Sequence, residues 1–212
     1  MKVTPFLLPP AFFTMLVYST ISAGAATVIT FDDLSAPSNG VSIANDYHGL
    51  VWNNFAALNA VLLTGAIGSN GFSFGMVSAS NVAYNVGGDP AEIDSPGSHF
   101  NFLSAYLTGA WNSNLNIEVQ GFSGASSLYD TTVVASATNA TQFTFNYLDV
   151  DRLVFTPSGG QPAFGAPSLA QLAVDNFTFE IIPEPSSLLL TFAGALLLWP
   201  LLRRKQASRK LA

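Results

Sequence analysis

The sequence predicts an all-β fold, a sandwich of two sheets, and three observations predict it. Between Thr27 and Ile182 the chain is rich in Gly, Asn, Ser, Thr, Phe and Val and nearly without Lys and Glu. Those are strand and turn residues rather than helix formers. Apolar and polar residues alternate at period two, the pattern of a strand with one wet face. Clusters of turn residues separate these stretches at short spacing, as in a sandwich of many short strands.

Taken in order, the first strand is Val28–Phe31, followed by the turn cluster Ala36-Pro37-Ser38-Asn39-Gly40. Leu50–Phe55 is the second candidate. Ala56–Gly65 (AALNAVLLTG) is the one stretch open to a helical turn, and its length and β-branched content leave that choice undecided. Phe72–Val77 and Asn81–Val86 read as strands, with Gly87-Gly88-Asp89-Pro90 and Ser95-Pro96-Gly97 as turns after them. Phe100–Leu107, Leu115–Gln120, Leu128–Ala135, Gln142–Tyr147, Arg152–Phe155 and Phe177–Ile181 follow. Leu115, Ile117 and Val119 alternate with Asn116, Glu118 and Gln120. Phe143, Phe145 and Tyr147 alternate with Gln142, Thr144 and Asn146. Pro157–Ser168 is an uncharged excursion before the last strand.

Both ends read as processing segments and are excluded from the fold. Met1–Ala26 has the layout of a signal peptide: Lys2, an apolar stretch Phe6–Val17, and the small residues Ala23-Gly24-Ala25-Ala26. At the other end Pro183-Glu184-Pro185 precedes an uncharged apolar run, Leu188–Leu202, and then Arg203-Arg204-Lys205. As a helix that run rises about 22 Å at about 1.5 Å per residue, short of a hydrocarbon core of about 30 Å. A span of this kind thins the bilayer or snorkels its flanks. Arg203, Arg204, Lys205, Arg209 and Lys210 hold its far side in the cytoplasm, which places residues 27–182 outside.

A Pro-Glu-Pro triplet, a short hydrophobic helix and an Arg-rich end together resemble the PEP-CTERM sorting signal of exported proteins in Gram-negative bacteria that make extracellular polysaccharide. The resemblance covers about thirty residues and says nothing of the activity of the rest. It implies a precursor anchored in the inner membrane by a transmembrane helix at 188–202. It also implies a partner, an exosortase-type membrane protease acting near Pro183, Glu184 and Pro185, and a destination at the cell surface or in the extracellular matrix. A second, shorter resemblance lies in the domain itself. Ile29-Thr-Phe-Asp-Asp-Leu34 and Val174-Asp-Asn-Phe-Thr-Phe179 are similar to the first and last strands of carbohydrate-binding jelly rolls. It favours a jelly roll over an immunoglobulin-like sandwich.

Charge and composition bound the function. Between residues 27 and 182, Arg152 stands alone against Asp32, Asp33, Asp46, Asp89, Glu92, Asp94, Glu118, Asp130, Asp149, Asp151, Asp175 and Glu180. A domain so acidic does not bind nucleic acid or anionic lipid by releasing counterions. The chain has no cysteine, which excludes disulfides, thiol catalysis and Cys–zinc sites. It carries no Gly-x-Ser-x-Gly elbow, no Gly-x-x-x-x-Gly-Lys phosphate loop and no metal-spaced histidines. His48 and His99 read as turn or edge histidines, and Arg152 as paired locally with Asp151 or Asp149.

Three candidate sites remain. Hard cations take several carboxylate and carbonyl oxygens; if the first and last strands are neighbours, Asp32 or Asp33 meets Asp175 around a structural calcium. Trp52 and Trp111, each followed by an amide or hydroxyl side chain, have the shape to stack on sugar rings, although aromatics in a sandwich are more often core. Glu92-x-Asp94, Asp149-x-Asp151 and Asp32-Asp33 are the acid pairs available to a glycan hydrolase. The leading expectation is a non-enzymatic, exported surface or matrix protein. The alternative is a carbohydrate-binding jelly roll with structural calcium acting on exopolysaccharide.

Overall fold

The structure, a computed structural model, describes residues 24–166 and 168–182. Most of the expected signal peptide, the Pro183–Pro185 triplet, the 188–202 helix and the basic stop lie outside the described residues. Among the described residues no helix is long and apolar enough to cross a membrane.

The elements run β1 (Thr27–Ile29), β2 (Val41–Ser42), β3 (Val51–Asn53), β4 (Phe55–Asn59), α1 (Ala60–Ile67), α2 (Gly71–Gly75) and β5 (Asn81–Asn85). After a 3-10 turn at Val86–Gly88 come β6 (Ala91–Asp94), β7 (His99–Gly109), β8 (Asn112–Ser113), β9 (Leu115–Ser123) and β10 (Ser126–Ala135). The chain closes with β11 (Thr141–Val150), β12 (Arg152–Ser158), β13 (Gln161–Pro162) and β14 (Leu172–Ile182).

Two antiparallel sheets carry the fold. The first has the order β11-β7-β14-β5-β4-β2, and the second β10-β9-β12-β6-β3; β13 and β8 make a separate short ribbon. One edge of β14 is shared: β1 takes Phe177–Phe179, and β5 takes Ala173 and Val174. The first and last strands are therefore neighbours, as the sequence predicts. From β5 onward the chain crosses between sheets at β6, β7, β9, β11, β12 and β14, and the intervening hairpin β9–β10 stays in the second sheet. Gly124, at φ 57°, supplies the left-handed residue that its two-residue loop requires.

The core lies between the sheets and is largely aromatic. Phe102 stacks on Phe177 and on Phe145, each at a centroid distance of 4.8 Å, while Phe155 of the opposite sheet meets its edge at 6.1 Å. Ile29, Leu107, Val119, Leu153 and Phe179 are buried around them. A smaller core sits on the outer face of the first sheet. There Leu58, Ala60, Phe72, Val82, Ala110 and Ala173 are buried beneath α1 and α2. Gly71 permits that approach: a Cβ there would sit 2.6 Å from Ala110 Cα and collide with the Gly109 carbonyl.

Local chemistry explains where the predicted elements differ. Ala56–Gly65 divides at Asn59, which ends β4 and caps α1 by accepting the Leu62 N–H at 2.9 Å. Phe72–Val77, expected as a strand, is helical through Gly75. Asn70 accepts from Phe72 and Ser73, and the Ser73 hydroxyl accepts the Asn70 N–H, a reciprocal cap that starts a helix. Ala91–Asp94, read from its acids as loop, is a strand whose Ala91 and Ile93 enter the core. In the Pro157–Ser168 excursion, Gln161–Pro162 pairs with Asn112–Ser113.

Candidate functional site

The site begins at the register between β6 and β12, which sets Arg152 opposite Asp94 and Val154 opposite Glu92. Period two sends Ile93 and Leu153 inward, so Glu92, Asp94 and Arg152 share the outer face of the second sheet. Ser95-Pro96-Gly97-Ser98 then turns the chain into β7. Gly97 has φ 76°, and the Ser98 N–H donates to the Ser95 carbonyl at 3.3 Å, a Pro-Gly turn. The Ser95 and Ser98 hydroxyls lie 2.7 Å apart, and the Ser95 N–H donates to the Asp151 carbonyl at 2.8 Å. Together Asp94, Ser95, Pro96, Gly97, Ser98, His99, Asp151 and Arg152 line an open cleft of about 440 Å³.

Each charged group in the cleft is held. The Arg152 guanidinium lies 4.2 Å above the Phe122 ring and 3.9 Å from Glu92 Oε1. The carboxylate partner is therefore Glu92 across the strand, in place of the expected neighbours Asp151 and Asp149. Cross-strand register wins here, because adjacent residues of a strand point to opposite faces. Asp151 instead accepts the Gly124 N–H at 2.6 Å, tying the β9–β10 hairpin to the β11–β12 corner. His99 Nδ1 lies 2.8 Å from Asp149 Oδ1. Asp94 accepts from Asn53 at 2.7 Å. Burial first, and then the charge of Glu92, push the Asp94 carboxyl above the ordinary carboxylate range; Arg152 and Asn53 pull against them.

The cleft thus sets carboxylates, hydroxyls, an imidazole and one guanidinium around a small open volume. That is a surface for hydrogen-bonding a polyhydroxylated ligand. It contains two acid pairs visible in the sequence, Glu92-x-Asp94 and Asp149-x-Asp151, brought to one corner by the β6–β12 ladder. Glu92 and Asp94 stand side by side on one strand face, whereas glycoside hydrolysis needs carboxyls flanking the bond to be cut.

The other sequence candidates fall elsewhere. Trp52 is a correction: it is 3% exposed and cannot stack on a sugar. Its ring is packed edge-on with Phe31, Phe55 and Phe177, and its Nε1–H donates to the Tyr47 carbonyl. Strand alternation turns Trp52 inward and Asn53 outward. Trp111 is half-buried, with its ring against Phe72 and its Nε1–H donating to Gln171 Oε1 at 2.8 Å.

Asp32, Asp33 and Asp175 do not converge as a calcium-binding group. Among the described residues no group of three or more His, Asp or Glu side chains is placed to hold a metal ion. Asp32 accepts the Asn81 N–H at 3.0 Å, and Asp33 accepts the Tyr47 hydroxyl at 2.6 Å. Asp175 is fully buried, and both its oxygens already face donors. Val77 N–H and Ser78 N–H donate to Oδ2 at 2.7 and 2.8 Å, and Asn176 N–H and the Ser78 hydroxyl to Oδ1 at 2.7 and 2.9 Å. Asp175 anchors the segment after α2 through hydrogen bonds, the service the sequence reading assigned to a cation.

No known protein family's pattern matches the chain, and no curated protein matches it. Solved structures with a similar fold include a DUF4465 family protein from Bacteroides ovatus ATCC 8483. It is 11% identical, with 74% of this chain and 94% of that chain covered and a TM-score of 0.42. TmCBM61, solved in complex with β-1,4-galactotriose, is 9% identical, with 66% and 94% covered and a TM-score of 0.33. Likeness at this level carries no information on ligand.

Proposed function

We propose that this chain is an exported, non-enzymatic β-sandwich protein of the Gram-negative cell surface or extracellular matrix, sorted by a PEP-CTERM signal. The order of segments from Pro183 onward carries this reading: triplet, uncharged apolar run Leu188–Leu202, basic stop Arg203–Lys205. An acidic domain joined to a basic tail fits an outside–inside orientation across the inner membrane. An exosortase-type protease then acts at or near Glu184 and releases the domain. Strand order supports a jelly roll, with β5-β14-β7-β11 facing β6-β12-β9-β10. The test is fractionation of cells making the full chain or its Glu184→Ala variant. Sorting through the triplet moves the wild type out of the inner membrane and leaves the variant there. Equal distribution of the two contradicts it.

A second reading is favoured by one observation, the mixed hydrogen-bonding cleft at Ser95–His99. On it, the domain binds neutral glycan of the matrix, with Asp94 and the two serine hydroxyls as acceptors and donors to sugar hydroxyls. Binding of the full chain to a glycan array, weakened at least tenfold by Asp94→Ala, supports it. A flat signal across neutral polysaccharides rejects it.

A further inference from the structure

We propose that the uncharged surface formed by α1, the end of α2 and Phe164 is where a second copy of this chain docks. A surface helix ordinarily turns charged residues to water. α1 does not. Val61 is 54% exposed, Leu62 57% and Ile67 58%. Its single hydroxyl, on Thr64, is spent within the helix on the Ala60 carbonyl at 2.7 Å. Next to α1, the exposed rings of Phe74 and Phe164 stack at 5.9 Å and 13°, and extend the apolar face from α2 to the β13 loop. A contiguous apolar surface of this kind marks an interaction site.

Charge selects the occupant. From Tyr47 to Gly88 the sequence contains no Asp, Glu, Lys or Arg. Elsewhere between residues 27 and 182, twelve acids face a single arginine, so two copies that met on those faces would bring carboxylate toward carboxylate. On the α1–α2 surface two copies meet with no like charges opposed, in the self-complementary manner of a two-fold contact. The position is open as well. α2 packs over Thr108 and Ala173, at the Leu172 end of β14. β14 carries the chain away from there to Ile182, about 33 Å at about 3.3 Å per residue. The sorting segment thus begins at the opposite end and leaves this surface uncovered, whether the tail is kept or cut.

The absence of cysteine makes the test direct. Gly65 lies on the outer side of α1, and a Cβ there meets nothing within 4 Å. The full chain carrying Gly65→Cys, treated with a bis-maleimide linker in intact cells, is expected to give a product of twice the monomer mass. Adding Leu62→Glu is expected to abolish that product while leaving the thermal melt of the chain in place. A Thr132→Cys chain, with its thiol on exposed β10, is expected to stay monomeric. The proposal is overturned if Gly65→Cys gives no linked pair, or if Thr132→Cys gives as much. It is equally overturned if the new thiol is shielded from a monofunctional maleimide without linking, since another partner then covers the surface.

Discussion

Asp175 shows how much one buried side chain holds. It joins the last strand to the segment leaving α2, and every oxygen lone pair in use is met by an N–H or O–H. Asp175→Asn presents an amide N–H₂ to donors, which strands at least one buried N–H. The unfolding free energy of the full chain is expected to fall by about 1–3 kcal/mol, the cost of an orphaned buried donor. An unchanged denaturation midpoint contradicts the clamp. Acidity gives an independent check. Burial raises the carboxyls of both Asp175 and Asp94. In the folded protein they keep a proton that the unfolded chain has already lost. Their contribution is complete below the unfolded value, about 3.9, and is lost as pH rises through the folded values. Melting temperature is therefore expected to rise from pH 7 to pH 5, with a smaller rise in Asp94→Asn. A fall over that interval, the usual result of losing paired carboxylates, contradicts it.

At the scale of elements, the period-two strands were legible and the helices were not. Leu115–Gln120, Gln142–Tyr147 and Phe177–Ile181 each bury one face, and alternation alone reveals that. Phe72 and Phe74 alternate just as well, yet they belong to α2. The deciding signal was Asn70 three residues before Ser73, a cap pattern that local alternation masks. Gly71 offers the test. Its lack of a Cβ lets α2 rest on the Gly109–Ala110 backbone. Gly71→Ala is expected to displace α2 and cost about 1–3 kcal/mol, as overpacking does, despite the better helix propensity of alanine. A stabilised variant contradicts the close approach. Conversely, Trp52 looked like a surface ligand platform from its composition alone. Its strand position sends it to the aromatic core, where truncation is expected to cost about 3–5 kcal/mol. Chemical denaturation of Trp52→Ala measures this, and a loss of glycan binding without loss of stability contradicts it.

Over the whole molecule, the sequence carries the class of fold and the pairing of its ends, since the similar first and last strands meet as β1 and β14. It does not carry the cleft. Glu92-x-Asp94 and Asp149-x-Asp151 are visible as pairs, but their meeting depends on β6 lying beside β12, a contact between segments some sixty residues apart. Nor does it carry the α1–α2 surface, because exposure of an apolar helix is decided only by what the rest of the chain leaves uncovered. The account's central claim is that this acidic sandwich is delivered by a tail made to be recognised and removed. Intact mass of the mature protein isolated from its producing cells tests that claim most directly. The account predicts a chain that starts near Thr27 and ends close to Pro183–Pro185. A mature chain that retains Leu188–Lys205 contradicts it and makes the segment a permanent anchor.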